Sequence, residues 1–161
     1  MERVRGQVVD PYGPLVRVRI APPDRWSVDT SAAGATSGEP PGLDGWGVVD
    51  TGAVMSCVTQ TAADRVKAPR GRPVTIRGVQ GAFGQRQPQT ASTCLLGCVL
   101  GDSLSPHEIQ APIIEDMGMW DGVPLLMLTG RDILAAYTLV YDGPTRHITL
   151  QRPPPLSTPA P

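Results

Sequence analysis

The residues best placed to do chemistry lie in the segment Val48-Val49-Asp50-Thr51-Gly52-Ala53, with Ser56 three residues further on. A short apolar run delivers a carboxylate straight into a polar turn. An aspartate at a strand end is held rigidly, Gly52 lets the backbone fold back toward it, and Thr51 adds a hydroxyl able to bond a neighbouring segment. A carboxylate fixed in that way is suited to general acid–base work, taking a proton from water or giving one to a leaving group. A second block stands far down the chain: Leu128-Thr129-Gly130-Arg131-Asp132-Ile133-Leu134, an apolar residue and a threonine, then a glycine and the start of a short helix. Asp-Thr-Gly alone also describes an ordinary turn after a strand. The two blocks together, in this order, say more than either does.

The elements that must carry these blocks are short and extended. Leu15 to Ile20 alternates apolar and charged residues with period two, which predicts a strand with one buried and one wet face, paired with Arg3 to Val9 across the turn Asp10-Pro11-Tyr12-Gly13-Pro14. Ser31 to Gly45 loses all periodicity and predicts a long mobile loop. A strand follows over Gly45 to Asp50, with a helical turn or two over Thr61 to Val66. Pro73 to Arg77 and Gln89 to Leu100 flank a glycine-containing tip, Gly78-Val79-Gln80-Gly81-Ala82-Phe83-Gly84, and predict a projecting β-hairpin. Strands are expected over His107 to Ile114 and Pro124 to Leu128, a short helix over Arg131 to Ala136, and a closing hairpin from Thr138 to Tyr141 and His147 to Gln151. The domain boundary falls at residue 152. The Pro-rich stretch 153–161 is too poor in apolar residues to pack and is expected to be disordered.

Composition agrees with this all-β reading. Of 161 residues, 18 are glycine and 18 proline while aromatics make up 4%, a balance that disfavours long helices. A net charge of −1 offers no basic surplus for phosphates, which argues against nucleic acid and anionic membranes as partners. No stretch approaches the roughly 18 apolar residues of a membrane span, and the first residues are not those of a secretory signal. Three cysteines, Cys57, Cys94 and Cys98, are an odd count without dense spacing, so a reducing, cytoplasmic setting is the expectation.

With the blocks and their carriers laid out, the chain resembles the single-domain, retropepsin-like aspartic proteases of retroviruses and their cellular and bacterial relatives. The match rests on Val49-Asp50-Thr51-Gly52-Ala53 with Ser56, on the hairpin near Gly81, and on Leu128-Thr129-Gly130-Arg131-Asp132. The closing hairpin looks like that of bacterial members. The resemblance implies an all-β, barrel-like half of an enzyme, with a flap hairpin and one short helix near the C-terminus, that supplies one catalytic aspartate, Asp50, and works as a homodimer on peptide or protein substrates. It implies that Thr51 ties the two active-site loops together, that Gly52 and Ala53 support Asp50 or meet substrate through their backbone, and that Ser56 belongs to the same loop. Gly78, Gln80, Gly81, Ala82 and Phe83 would form the flap, and Leu128 would line a side-chain pocket. Gly130, Arg131 and Asp132 would start the conserved-type helix of the fold. No metal or other cofactor is implied.

Three positions depart from the viral pattern. Val54 stands where viral members carry an acidic residue that pairs with the arginine of the Gly-Arg helix, so Arg131 needs another partner, either Asp132 or a residue of the other protomer. Thr129 stands where a branched aliphatic is usual; it keeps valine's shape, but its hydroxyl must be satisfied. The terminal strands that knit the viral dimer are not recognisable, and Pro153-Pro154-Pro155 cannot donate ladder hydrogen bonds.

Gly101-Asp102-Ser103-Leu104 spells the signature of the GDSL esterases, but in that family it opens a longer α/β chain, and His147 lacks an aspartate three positions earlier. A turn between strands accounts for Asp102 and Ser103. Cys94 and Cys98, with His107, have no knuckle turn between them and are expected as buried small side chains rather than metal ligands. His107 and His147 are expected as surface or strand-pairing residues, and Trp26, Trp46 and Trp120 as core or dimer contacts. The rival from a different class is a module that keeps this fold for dimerisation or peptide binding without catalysis. Such a module has no need of an aspartate that is costly to bury beside its twin.

Overall fold

The computed structural model describes residues 3–25, 42–76, 89–101 and 106–153. The chain forms β1 (Arg3–Val9), β2 (Gly13–Ala21), a 3-10 turn (Pro23–Arg25), β3 (Leu43–Val49), β4 (Cys57–Thr59), α1 (Gln60–Arg65), β5 (Arg70–Ile76) and β6 (Gln89–Leu100). It continues with β7 (His107–Ile114), β8 (Met119–Trp120), β9 (Val123–Thr129), α2 (Arg131–Leu134), β10 (Thr138–Asp142) and β11 (His147–Gln151). The predicted strands are all present within a few residues of their expected bounds. One difference stands out. The strand bearing the Asp block begins at Leu43, so 43–45 belong to β3 and not to a loop; residues 31–41, and 154–161 of the tail, lie outside the described residues. The helical turn expected over Thr61 to Val66 is α1, Gln60–Arg65, where Thr59 accepts a hydrogen bond from the Ala62 N–H as its N-cap.

The strands run in the order β10-β11-β1-β2-β3-β9-β4-β7-β6-β5, and an extra pairing of β2 with β6 closes β2, β3, β9, β4, β7 and β6 into a ring. Closure removes the free edges of those six strands, while β10 and β5 end the strand order outside the ring. β9 is threaded between β3 and β4, parallel to the first and antiparallel to the second.

The period-two pattern of β2 is realised as expected: Val16, Val18 and Ile20 point into the barrel with Val58, Leu96, Leu100, Met127 and Ile133, while Arg17 stays exposed. The opposite face also buries side chains. Leu15, Trp46 and Leu125 form a smaller cluster there, joined by Trp120, whose ring meets Trp46 edge-on at 4.9 Å. The Arg17 guanidinium lies 4.0 Å from the centre of the Trp46 ring, so its charge is used against the aromatic face. Trp46 and Trp120 are therefore core-type residues in part, and Trp26 lies outside the described residues. Among the described residues no helix is long and apolar enough to cross a membrane.

Candidate active site

The site is built where β3 ends beside β9. The parallel ladder pairs Val48 with Leu128 and Val49 with Thr129, and the next residue continues it, the Asp50 N–H donating to the Thr129 carbonyl at 3.0 Å. The carboxylate of Asp50 then folds over its own turn. Its Oδ1 accepts from the N–H of Gly52 at 2.8 Å and from that of Ala53 at 3.2 Å. Oδ2 accepts no hydrogen bond among the described residues. A side chain at position 52 would begin 3.1 Å from Oδ1, closer than ordinary contact, so glycine is what lets that N–H approach. The result is a half-buried carboxylate with one oxygen fixed by backbone and the other available.

A second set of bonds holds this turn to the start of α2. Ser56 is fully buried; its hydroxyl donates to Asp132 Oδ1 at 2.6 Å and accepts from the Gly130 N–H at 2.9 Å. The Ser56 N–H donates to both oxygens of Asp132 at 2.9 Å, and the Ile133 N–H donates to Oδ1 at 3.0 Å. Backbone bonds from Arg131 N–H to Ala53 C=O, 2.9 Å, and from Asp132 N–H to Val54 C=O, 3.3 Å, complete the seam. A Cβ at position 130 would lie 2.5 Å from the Met55 carbonyl carbon, so only glycine fits between the segments. Sequence spacing placed Asp50 and Ser56 in one loop; the fold brings Gly130 and Asp132 against it from the other end of the chain.

Several expectations are corrected. Asp132 does not pair with Arg131, because its carboxylate is committed to Ser56; Arg131 is exposed and has no ion pair among the described residues. The Thr129 hydroxyl, expected to be satisfied, is buried without a hydrogen-bond partner among the described residues. Val54, in place of an acidic residue, is 65% exposed. Thr51 is exposed and Leu128 half-buried. Of the two partners expected for Arg131, Asp132 is ruled out by its own role, which the sequence does not reveal locally: the serine three residues past Asp-Thr-Gly-Ala is its distant partner. Val48 was also overlooked, although period two puts it on the same strand face as Asp50.

The remaining candidates separate from this site. Cys94 and Cys98 pack inside the barrel, and Cys57 is buried beside the loop; burial pushes Cys57 and Cys94 up to about 11 and Cys98 to about 12, so all three are neutral thiols. His107 shares a 2.8 Å hydrogen bond with the Tyr137 hydroxyl. Asp102 to Leu104 lie outside the described residues.

No protein-family model and no curated protein matches the chain. Among solved structures, it is similar to the crystal structure of a retropepsin-like aspartic protease from Rickettsia conorii, with a TM-score of 0.51 and 14% identity over 92% of this chain and 89% of that one. The fold is that of the retropepsin-like aspartic proteases. An aspartic proteinase from Irpex lacteus aligns with a TM-score of 0.46 and 14% identity, covering 94% of this chain and 47% of that one.

Within this retropepsin-like fold β5 and β6 pair antiparallel, with Ile76 opposite Gln89; the residues expected to form a flap, Gly78, Gln80, Gly81, Ala82 and Phe83, lie outside the described residues.

Proposed function

We propose that the chain is one half of an aspartic endopeptidase, with Asp50 from each of two copies forming the catalytic dyad. The observation that carries this is the geometry of Asp50: a carboxylate at the end of a ring strand, oriented by the Gly52 and Ala53 N–H groups, with Oδ2 uncommitted among the described residues. The retropepsin-like fold supports the same reading. One carboxylate alone can be acid or base but not both at once. Two brought to about 3 Å across a twofold axis share one proton, because like charges at that distance do not both ionise. The ionised member takes a proton from a water between them as the water oxygen attacks the peptide carbonyl carbon. The protonated member hydrogen-bonds the developing oxyanion. As the C–N bond breaks, a proton passes from the dyad to the leaving nitrogen, and an acid and an amine result.

The neighbouring residues fall into supporting roles. Gly52 and Ala53 orient Asp50, while Ser56, Gly130 and Asp132 keep the turn from yielding. Thr51, exposed at the tip of the loop, is placed to meet its counterpart on the second copy. Leu128 and Val48, paired on adjacent strands, would line a pocket for an apolar substrate side chain, and the hairpin rooted in β5 and β6 would close over an extended peptide.

The test is digestion of an unbiased peptide mixture by wild type and Asp50→Asn from acidic to neutral pH, read by mass spectrometry, with dimer content measured in parallel. Cleavage is expected to fall about a thousandfold in the variant, with dimerisation retained or strengthened as like-charge repulsion is removed. A well-folded wild-type dimer that cleaves nothing at any pH would instead favour a peptide-binding or dimerisation module.

A further inference from the structure

We propose that the outer face of β1 and β2 docks an acidic segment of the protein that the enzyme cleaves. The proposal rests on the protease reading above and adds to it a class of substrate. Strand register fixes which side chains share this face. β1 pairs Gly6 with Val16 and Gln7 with Leu15, and Val4 and Val16 point into the barrel core. Alternation along each strand therefore sends Arg3 and Arg5 of β1, and Arg17 and Arg19 of β2, to the opposite side. Arg5 and Arg17 are the first residues beyond the Gly6–Val16 pair, on the same side of it. On β11 the residues facing Arg5 and Arg3 are Thr149 and Gln151, which carry no charge.

Charge on this face is one-sided. Asp44 is taken up by Arg19, Oδ1 to Nε at 2.8 Å, and the other carboxylate that these strands carry here, Asp142, stands two strands from β1, opposite His147. Arg3, Arg5 and Arg17 are exposed and have no ion pair among the described residues. The net charge of −1 conceals this local concentration, in which neighbouring cations repel until an acidic partner arrives. Arg17 is also held in position. Its guanidinium lies 4.0 Å from the centre of the Trp46 ring, and Trp46 is itself buried against Trp120. A guanidinium lying over a ring keeps its N–H donors free at the edge, where they fit the two oxygens of a carboxylate. A nucleic-acid strand would need exposed rings for its bases to stack on, and Trp46 is covered; glutamates and aspartates need only the guanidinium edges. The face also leads to the site. β3 carries Trp46 and Val48 on one side and ends at Asp50, and Trp46 is paired with Arg17, so Arg17 stands about 13 Å along the strand from Asp50. An extended peptide covers that distance in about four residues.

Binding and cleavage test the face separately. Asp50→Asn, used to suppress turnover, is titrated with a labelled oligoglutamate peptide and read by fluorescence anisotropy, with an uncharged peptide and oligothymidylate of the same length beside it. Oligoglutamate is expected to bind more tightly than either, and to lose at least about tenfold in affinity when Arg5→Gln and Arg17→Gln are added or salt is raised. Arg5→Glu alone reverses an exposed charge without touching the core, and is expected to weaken binding as much with an unchanged melting transition. With Asp50 intact, a peptide substrate extended by a run of glutamates is expected to show a lower KM than its uncharged counterpart at the same kcat, an advantage that Arg5→Gln with Arg17→Gln removes. Oligoglutamate that binds no better than the uncharged peptide, or is indifferent to the arginine variants, overturns the docking face and leaves the protease standing. Oligothymidylate bound more tightly through the same arginines overturns it in favour of nucleic acid. Arginine-dependent binding without the KM advantage overturns the assignment of the acidic segment to a substrate. Arginine-dependent binding by a wild type that cleaves nothing supports an acidic docking face and overturns the protease.

Discussion

At the scale of single residues, the hydrogen bonds around Ser56 make sharper predictions than Asp50 itself. The Ser56 hydroxyl is both donor to Asp132 and acceptor from Gly130, so Ser56→Ala leaves a buried N–H unpaired and removes one bond from a carboxylate. That change is expected to cost about 2 kcal/mol in urea unfolding, and to lower activity beyond the loss of folded protein, because the turn under Asp50 loosens. Gly130→Ala drives a methyl into the Met55 carbonyl and is expected to cost about 3 kcal/mol. Thr129→Val works in the opposite direction. It keeps the side chain's shape and removes a buried hydroxyl that has no partner among the described residues, so a gain of about 1 kcal/mol is expected by the same measurement. Thr129 was flagged in the sequence as a departure needing a hydrogen bond; the sequence held the need but not the neighbourhood that fails to meet it. Asp132 illustrates the converse. Its type and helix-start position were legible, while its partner, 76 positions away in sequence, depended on a chain crossing that local pattern does not encode.

At the scale of elements, legibility followed periodicity and length. β2 alternates strictly and β7 is bounded by turn signals, so both were readable to within a few residues. β8 has only two residues and exists because Met119 and Trp120 pair with Pro124 and Val123, a tertiary cause without a local signature. α1 covers six residues, Gln60–Arg65, and the Thr59 cap fixes its start one residue ahead of the helical turn expected over Thr61 to Val66. The twelve-residue β6 was visible as a long extended run, but not as the hub it is: it pairs with β5, β7 and β2 in turn. Hydrogen exchange followed by mass spectrometry should find the slowest amides in the segment 93–100 of β6 and faster ones in β10, whose outer edge has no strand partner among the described residues.

At the scale of the whole molecule, the closed ring places its thiols where neither solvent nor base reaches them. Cys57, Cys94 and Cys98 should resist an aromatic disulfide reagent in the folded protein and all react on unfolding. The same burial gives stability a dependence on alkaline pH. Well below pH 9 the thiols are neutral folded or unfolded, and contribute nothing to the pH dependence. Above it the unfolded chain ionises at the ordinary value of 9.0 while the folded one holds its protons until about 11 at Cys57 and Cys94 and about 12 at Cys98, so the unfolded state gains and stability should fall as pH rises through that window. Denaturant midpoints between pH 8 and 10.5, compared with a Cys94→Ala, Cys98→Ala variant, would show it. The insertion of β9 between β3 and β4 has a further consequence, in time instead of space. Asp50 is made before Thr129, whose carbonyl receives its N–H, and before Gly130, the glycine that closes its loop. Contacts between such distant positions form late in folding. A nascent chain that has not yet delivered β9 carries the aspartate without the geometry, so a site assembled this way is withheld until β9 and the start of α2 have been synthesised and folded.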